Sequence, residues 1–241
     1  MEIIITETYE EMSREAADII AECVKQKPDC VLGLATGSTP IGLYAELVKD
    51  NQAGEISFKD VKTFNLDEYR GLDPKHHQSY RYFMQENLFD HVDIVAENTH
   101  VPNGFNPNAE EACAEYEESI DEAGGLDLQL LGLGHNGHIG FNEPADHFPL
   151  ATNCVQLTES TIQANSRLFD SIDEVPREAY TMGIGTIMRA KKILVVANGA
   201  GKAEIVKKAF LGPITPQVPA SVLQLHPDVT VVVDELAGEL L

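Results

Sequence analysis

Leu126-Asp127-Leu128-Gln129-Leu130-Leu131-Gly132-Leu133-Gly134-His135-Asn136-Gly137-His138-Ile139-Gly140-Phe141-Asn142-Glu143-Pro144 joins an apolar run to a segment rich in glycine, histidine and acid. The apolar run has the length and composition of a buried strand. The segment after it holds four glycines, two histidines and one glutamate between Leu131 and Pro144. Glycines let the backbone turn sharply and approach a ligand closely. Histidine and glutamate move protons around neutral pH. A strand that ends in such a segment reads as the floor of an active site.

The same alternation extends outward in both directions. Ile3–Ile5, Val31–Ala35, Val61–Leu66, Ala179–Ile184, Ile193–Ala197 and Val229–Val233 are further strand-like runs. Between them, helical spacing covers Glu11–Lys25, Gly42–Asp50, Ser79–Phe89, Ala109–Ala123, Glu159–Phe169 and Lys202–Phe210. Strands separated by helices predict an α/β fold: a single doubly wound, mostly parallel sheet flanked by helices, Rossmann-like in plan. No repeat, low-complexity tract or linker-like shift divides residues 1–241, which predicts one domain. In such sheets ligands lie beyond the carboxyl ends of the strands. Four polar or glycine-rich segments follow strands: Thr36–Pro40, Asn65–Gly71, Gly132–Pro144 and Asn198–Lys202. They are expected to converge.

Composition narrows the function classes. The chain has 241 residues, 43% hydrophobic and 23% charged, with a net charge of −22. That charge argues against a nucleic-acid partner, whose phosphates need clustered Lys and Arg, and against anionic membranes. No run of about 18 apolar residues predicts a membrane span. The N-terminal Met1–Glu7 has neither a basic flank nor a cleavage pattern, so a cytoplasmic location is expected. Cys23, Cys30, Cys113 and Cys154 form no C-x-x-C pair and read as reduced, structural thiols.

Each candidate segment has a chemical reading and a plain one. Thr36-Gly37-Ser38-Thr39-Pro40 offers hydroxyls and amides where a helix begins, which suits a phosphate; the plain reading is an N-cap. It lacks the Gly-Lys-Ser/Thr ending of a nucleotide P-loop, so a sugar phosphate fits better than a nucleoside triphosphate. Lys202 in Asn198-Gly199-Ala200-Gly201-Lys202 is placed to close that site, or else is a solvated lysine. Asn65-Leu66-Asp67-Glu68-Tyr69 sets two adjacent carboxylates at a strand end, where one is a candidate general base or a cap. Gly132-x-Gly134-x-x-Gly137 matches a dinucleotide fingerprint, but Gly140 and Pro144 interrupt the helix that fingerprint requires. His135-x-x-His138 lacks the helical spacing of a zinc site, and no metal is expected. Proton transfer by His138, oriented by Glu143, fits the residues better. Arg167 can fork onto a phosphate or sit on the surface.

Together these segments resemble the glucosamine-6-phosphate deaminase family, of the sugar-phosphate isomerase-like α/β group. The motifs are Gly33–Pro40, Phe64–Tyr69, Leu131–Pro144, Ala164-Asn165-Ser166-Arg167 and Leu223-Gln224-Leu225-His226-Pro227, and the resemblance spans essentially the whole chain. It implies conversion of glucosamine 6-phosphate and water into fructose 6-phosphate and ammonia, without a cofactor. It implies that Asp67 takes the C2 proton and returns it at C1. It implies that His138 assists ring opening, supported by Glu143 and Asn136. Thr36, Gly37, Ser38, Thr39, Arg167 and Lys202 are then the phosphate and substrate contacts.

Two departures bear on the resemblance. Some members carry Asp where this chain has Asn136, so His138 relies on Glu143 for charge. Allosteric members are hexamers with basic residues after the catalytic loop and a longer tail. Here Ala145–Gln156 has neither Lys nor Arg, which predicts a non-allosteric monomer or small homo-oligomer. Two other readings stay open: a 6-phosphogluconolactonase-type hydrolase and a non-catalytic sugar-phosphate sensor. Such a sensor usually carries a basic DNA-binding module, for which this chain has neither room nor charge.

Overall fold

A computed structural model describes residues 1–159, 162–163, 169 and 171–241. Seven strands form one parallel sheet: β1 (Glu2–Thr6), β2 (Val31–Leu34), β3 (Lys62–Asn65), β5 (Thr99–His100), β6 (Leu128–Gly132), β9 (Lys192–Ala197) and β10 (Val229–Asp234). Their order is β1-β10-β9-β6-β2-β3-β5, and every described pairing is parallel. All of β2, all of β10 and Ile193–Ala197 of β9 are buried. Burial on both faces is why these strands read as continuous apolar runs rather than alternating ones.

The helices are α1 (Tyr9–Gln26), α2 (Ile41–Gln52), α3 (Tyr80–Asn87), α4 (Ala109–Glu122), α5 (Ile184–Met188), α6 (Ala203–Leu211) and α7 (Glu235–Gly238). Several starts are encoded locally. Thr8, Ser79, Asn108 and Asp234 each accept an N–H from the first turn of α1, α3, α4 and α7, filling donors that helix geometry leaves open. Helix α1 buries Met12, Ala16, Ala17, Ile20 and Val24, the spacing of one helical face. It packs on α2 and over β9 and β10. No helix of the described residues is long and apolar enough to cross a membrane.

A second, antiparallel sheet of order β4-β8-β7 stands beside the main one, from β4 (Asp67–Tyr69), β7 (Asn153–Gln156) and β8 (Glu178–Thr181). Of the run read at Ala179–Ile184, Ala179–Thr181 belongs to it, and α5 begins at Ile184. A short apolar run looks alike in either sheet, so periodicity could not assign it. Leu66 is the corner: its N–H donates to Leu34 O at 3.0 Å, and its carbonyl accepts from Met182 N at 2.7 Å. The chain thus leaves the parallel sheet at Leu66 and starts the small one at Asp67. The helix expected over Glu159–Phe169 lies largely outside the described residues.

This order explains why the four segments meet. Strands β9, β6, β2 and β3 are consecutive neighbours, and each ends in one of the segments. From β2 the chain order runs outward through β3 and β5; from β6 it runs the other way through β9 and β10. The reversal between β2 and β6 is the switch point where a crevice opens.

Candidate functional site

A cavity of about 640 Å³ lies over these strand ends. Thr36–Thr39, Asp67, His138 and Lys202 all line it. Asn136 and Glu143 do not; they stand behind His138 and hold it. Arg167 falls outside the described residues.

The loop after β2 is fixed from below. The Tyr9 hydroxyl accepts from Gly42 N at 2.8 Å and lies 3.0 Å from Thr39 O, to which it donates. Thr39 Oγ1 donates to Asn198 Oδ1 at 2.7 Å, tying this loop to the one after β9. Among the described residues, no acceptor takes the N–H groups of Gly37, Ser38 or Thr39. Open amides beside hydroxyls suit an anion. The loop after β9 is anchored by Asp234, whose two oxygens each lie 2.9 Å from Gly199 N. It presents Lys202, whose ammonium donates to the carbonyl of Leu133. Burial lowers the Lys202 pKa, as desolvation does for any cation. Lys202 thus links the cationic loop to the glycine segment after β6.

Within that segment, Gly134 N donates to His138 O at 2.9 Å and Gly137 N to Gly134 O at 3.0 Å. The tight turn folds the His138 ring over Gly134. Nδ1 of His138 lies 3.3 Å from Glu143 Oε1. The Asn136 amide donates to Glu143 Oε2, and Asn136 Oδ1 accepts from His138 N at 3.2 Å. Asn136 therefore orients both members of the pair, and Glu143 alone supplies negative charge. Gly140 has φ +57°, and a Cβ there would sit 2.8 Å from Thr181 Oγ1 and 3.6 Å from Asp67 Oδ2. Only glycine adopts that backbone at that spacing without strain. It brings the histidine segment against β4 and β8.

The two adjacent carboxylates of β4 face different surroundings, since successive residues of a strand point to opposite faces. Asp67 is buried and reaches the cavity. Its pKa is pushed up to about 8, chiefly by burial and secondarily by the charge of Glu68. Glu68 lies off the cavity and accepts three backbone N–H groups. Geometry separates the two side chains: Asp67 meets the cavity and Glu68 caps the first turn of α3.

Thr181 and Asp234 escaped the sequence reading. Thr181 is cross-strand from Asp67 and accepts from Phe141 N at 3.0 Å. It sits in a short buried strand, and Asp234 ends an apolar one, so neither carries a local motif. The aromatic wall of Tyr69, Tyr80 and Phe141 also emerges only in three dimensions. Tyr69 and Tyr80 ring centroids are 4.9 Å apart, and Tyr80 stacks on Phe141 at 6.1 Å. Among the described residues, no three His, Cys, Asp or Glu side chains gather to hold a metal ion.

A sequence model of the glucosamine-6-phosphate isomerases/6-phosphogluconolactonase family matches residues 6–232. A glucosamine-6-phosphate deaminase of Clostridium perfringens is 57% identical over 100% of both chains. One from Thermoanaerobacter pseudethanolicus is 56% identical over 100% of this chain and 95% of its own. Among solved structures, a monomeric glucosamine-6-phosphate deaminase superposes with a TM-score of 0.96 at 47% identity, covering 100% of both chains.

Proposed function

The chain belongs to the glucosamine-6-phosphate isomerase/6-phosphogluconolactonase family, and from that premise we propose that it is a glucosamine-6-phosphate deaminase of amino-sugar catabolism. One observation carries this choice within the family. The cavity holds a buried carboxylate, Asp67, apart from a second proton-transfer unit, His138 with Glu143. A lactone hydrolase has no carbon proton to remove. Isomerisation from C2 to C1 followed by deamination needs a base for carbon as well as a group for ring opening.

The steps follow from the residue types. The phosphate sits on the Thr36–Thr39 loop, with the Ser38 hydroxyl, the amides of Gly37, Ser38 and Thr39 and the Lys202 ammonium as donors. Arg167 joins them by resemblance. His138, oriented by Glu143, carries a proton from O1 to the ring oxygen, opening the pyranose. Asp67 takes the C2 proton of the open aldehyde and returns it at C1. The C2 imine that results is attacked by water, and ammonia leaves from C2. Fructose 6-phosphate remains; no electron is gained or lost overall.

Burial pushes the Asp67 pKa up to about 8. The 2-ammonium group of the substrate brings an opposite charge that favours the carboxylate. Binding thus turns the group into a base in the place where a base is needed. The protein acts on a small sugar phosphate, in the cytoplasm, and as a monomer like the similar solved enzyme. Product analysis tests the reading: glucosamine 6-phosphate should give equal amounts of ammonia and fructose 6-phosphate. Hydrolysis of 6-phosphogluconolactone without ammonia release from the amino sugar would overturn it.

A further inference from the structure

We propose that Glu68 is a positioning residue of this site: it clasps the loop between β4 and α3 that walls the cavity, and it holds negative charge behind Asp67. The proposal goes beyond the deaminase reading and rests on it for the role of Asp67. Its geometric basis is three hydrogen bonds to one buried carboxylate. Oε1 of Glu68 accepts from Tyr69 N at 2.8 Å and from Tyr80 N at 3.0 Å, and Oε2 accepts from Arg81 N at 3.0 Å. A single oxygen thus closes the loop of residues 70–79 at its base. Glu68 itself is 3% exposed.

The clasp acts on the cavity through what it anchors. Ser79 Oγ accepts from Tyr82 N at 3.0 Å, so Ser79 and Glu68 together take the first three N–H groups of α3. An anionic side chain is favoured at that end of a helix. Beyond the clasp, His77, Gln78 and Tyr80 line the cavity, and Tyr80 stacks on Phe141 in the histidine segment. The position of Glu68 therefore reaches both the loop wall and the segment carrying His138. None of its three bonds is to a side chain, so the residue orders backbone.

The charge reaches Asp67 by adjacency. Burial raises the Glu68 pKa, while its three N–H donors and the Arg81 guanidinium work against that rise. Arg81 is committed elsewhere, donating to Thr99 Oγ1 at 2.7 Å and Thr99 O at 2.9 Å. Among the described residues, the other titratable groups near the two carboxylates are the phenols of Tyr69, Tyr80 and Tyr116, and His77, Glu86, His135, His138 and Lys202 also line the cavity. The phenols stay neutral through physiological pH, because burial pushes each of them up. Glu68 is then the acidic neighbour that resists ionisation of Asp67.

Glu68→Gln keeps the shape, removes the charge and sets an amide donor against at least one of the three N–H groups. Hydrogen exchange on the unliganded protein should quicken tenfold or more at the amides of residues 69–81. The acid limb of kcat/KM should move to lower pH by roughly one unit, the ordinary size of a carboxylate perturbation. Glu68→Asp keeps the charge on a shorter arm, so it should quicken exchange and leave the limb in place. It also serves where the Gln variant does not fold. Unchanged exchange in either folded variant, or an unmoved limb in Glu68→Gln, overturns the proposal. The exchange measurement needs no turnover. If instead Asp67→Asn kept full activity, the base assignment would fall while the exchange result stood.

Discussion

The imidazole of His138 lies directly over Gly134, so close that a Cβ on Gly134 would fall 2.3 Å from Nε2. The glycine here is a seat for the ring as well as a turn residue. Gly134→Ala must push the imidazole away from Glu143 Oε1, from its present 3.3 Å. The ring is the end of a side chain and can swing, so the fold should survive. We expect kcat to fall about 100-fold, the lower range for a lost proton-transfer group. The melting temperature should fall by only a few degrees. Steady-state kinetics and a thermal melt on one preparation check both.

Glu143→Gln leaves His138 with no anion, because Asn136 is neutral and only orients the pair. On cyclic glucosamine 6-phosphate kcat should drop by roughly 100-fold or more. On an analogue locked in the open-chain form the loss should be much smaller. Equal losses on both substrates would assign the pair to a later step.

Asp67 makes the stability of the protein depend on pH with a definite sign. Its pKa in the fold, about 8, exceeds its ordinary value of 3.8. The fold therefore binds this proton more tightly than the unfolded chain does. That contribution is complete below about pH 4 and is lost as the pH rises through about 8. Asp67→Asn cannot titrate. Its melting temperature relative to the unsubstituted protein should rise by several degrees between pH 4 and pH 9, as paired melts across that range will show. A flat difference would mean that the carboxylate is solvated.

Lys202→Met removes the cationic donor from the mouth of the proposed phosphate site while keeping most of its packing. A charge-assisted hydrogen bond contributes about 1.5–3 kcal/mol, so KM should rise roughly 10- to 100-fold. Inhibition by inorganic phosphate should weaken in parallel. If KM alone rose, Lys202 would be contacting the sugar instead of the phosphate.

Much of this was legible in the residues, and the exceptions have physical causes. The strands at Val31, Ile193 and Val229 announce themselves because both of their faces are buried. The meeting of Asp67, His138 and Lys202 at one cavity follows because parallel strands send their carboxyl ends to one edge. The small sheet was hidden because β4 has three residues and β8 four, too few to show a strand period. Asp67 and Glu68 could not be told apart in sequence. Their difference is the side of β4 each one faces, which depends on partners more than ten positions away, Tyr80 and Arg81 for Glu68 and Gly140 for Asp67. The Lys202 contact with Leu133 joins two strand ends and has no local signature.

Asp67 is proposed to remove the carbon proton. The most direct measurement follows glucosamine 6-phosphate carrying deuterium at C2 with the unsubstituted protein and with Asp67→Asn, beside a calorimetric titration of binding. The unsubstituted protein should show a primary isotope effect and deliver part of the label to C1 of fructose 6-phosphate. Asp67→Asn should still bind the sugar phosphate yet transfer no label and release no ammonia. Label transfer and ammonia release persisting in Asp67→Asn would contradict the assignment.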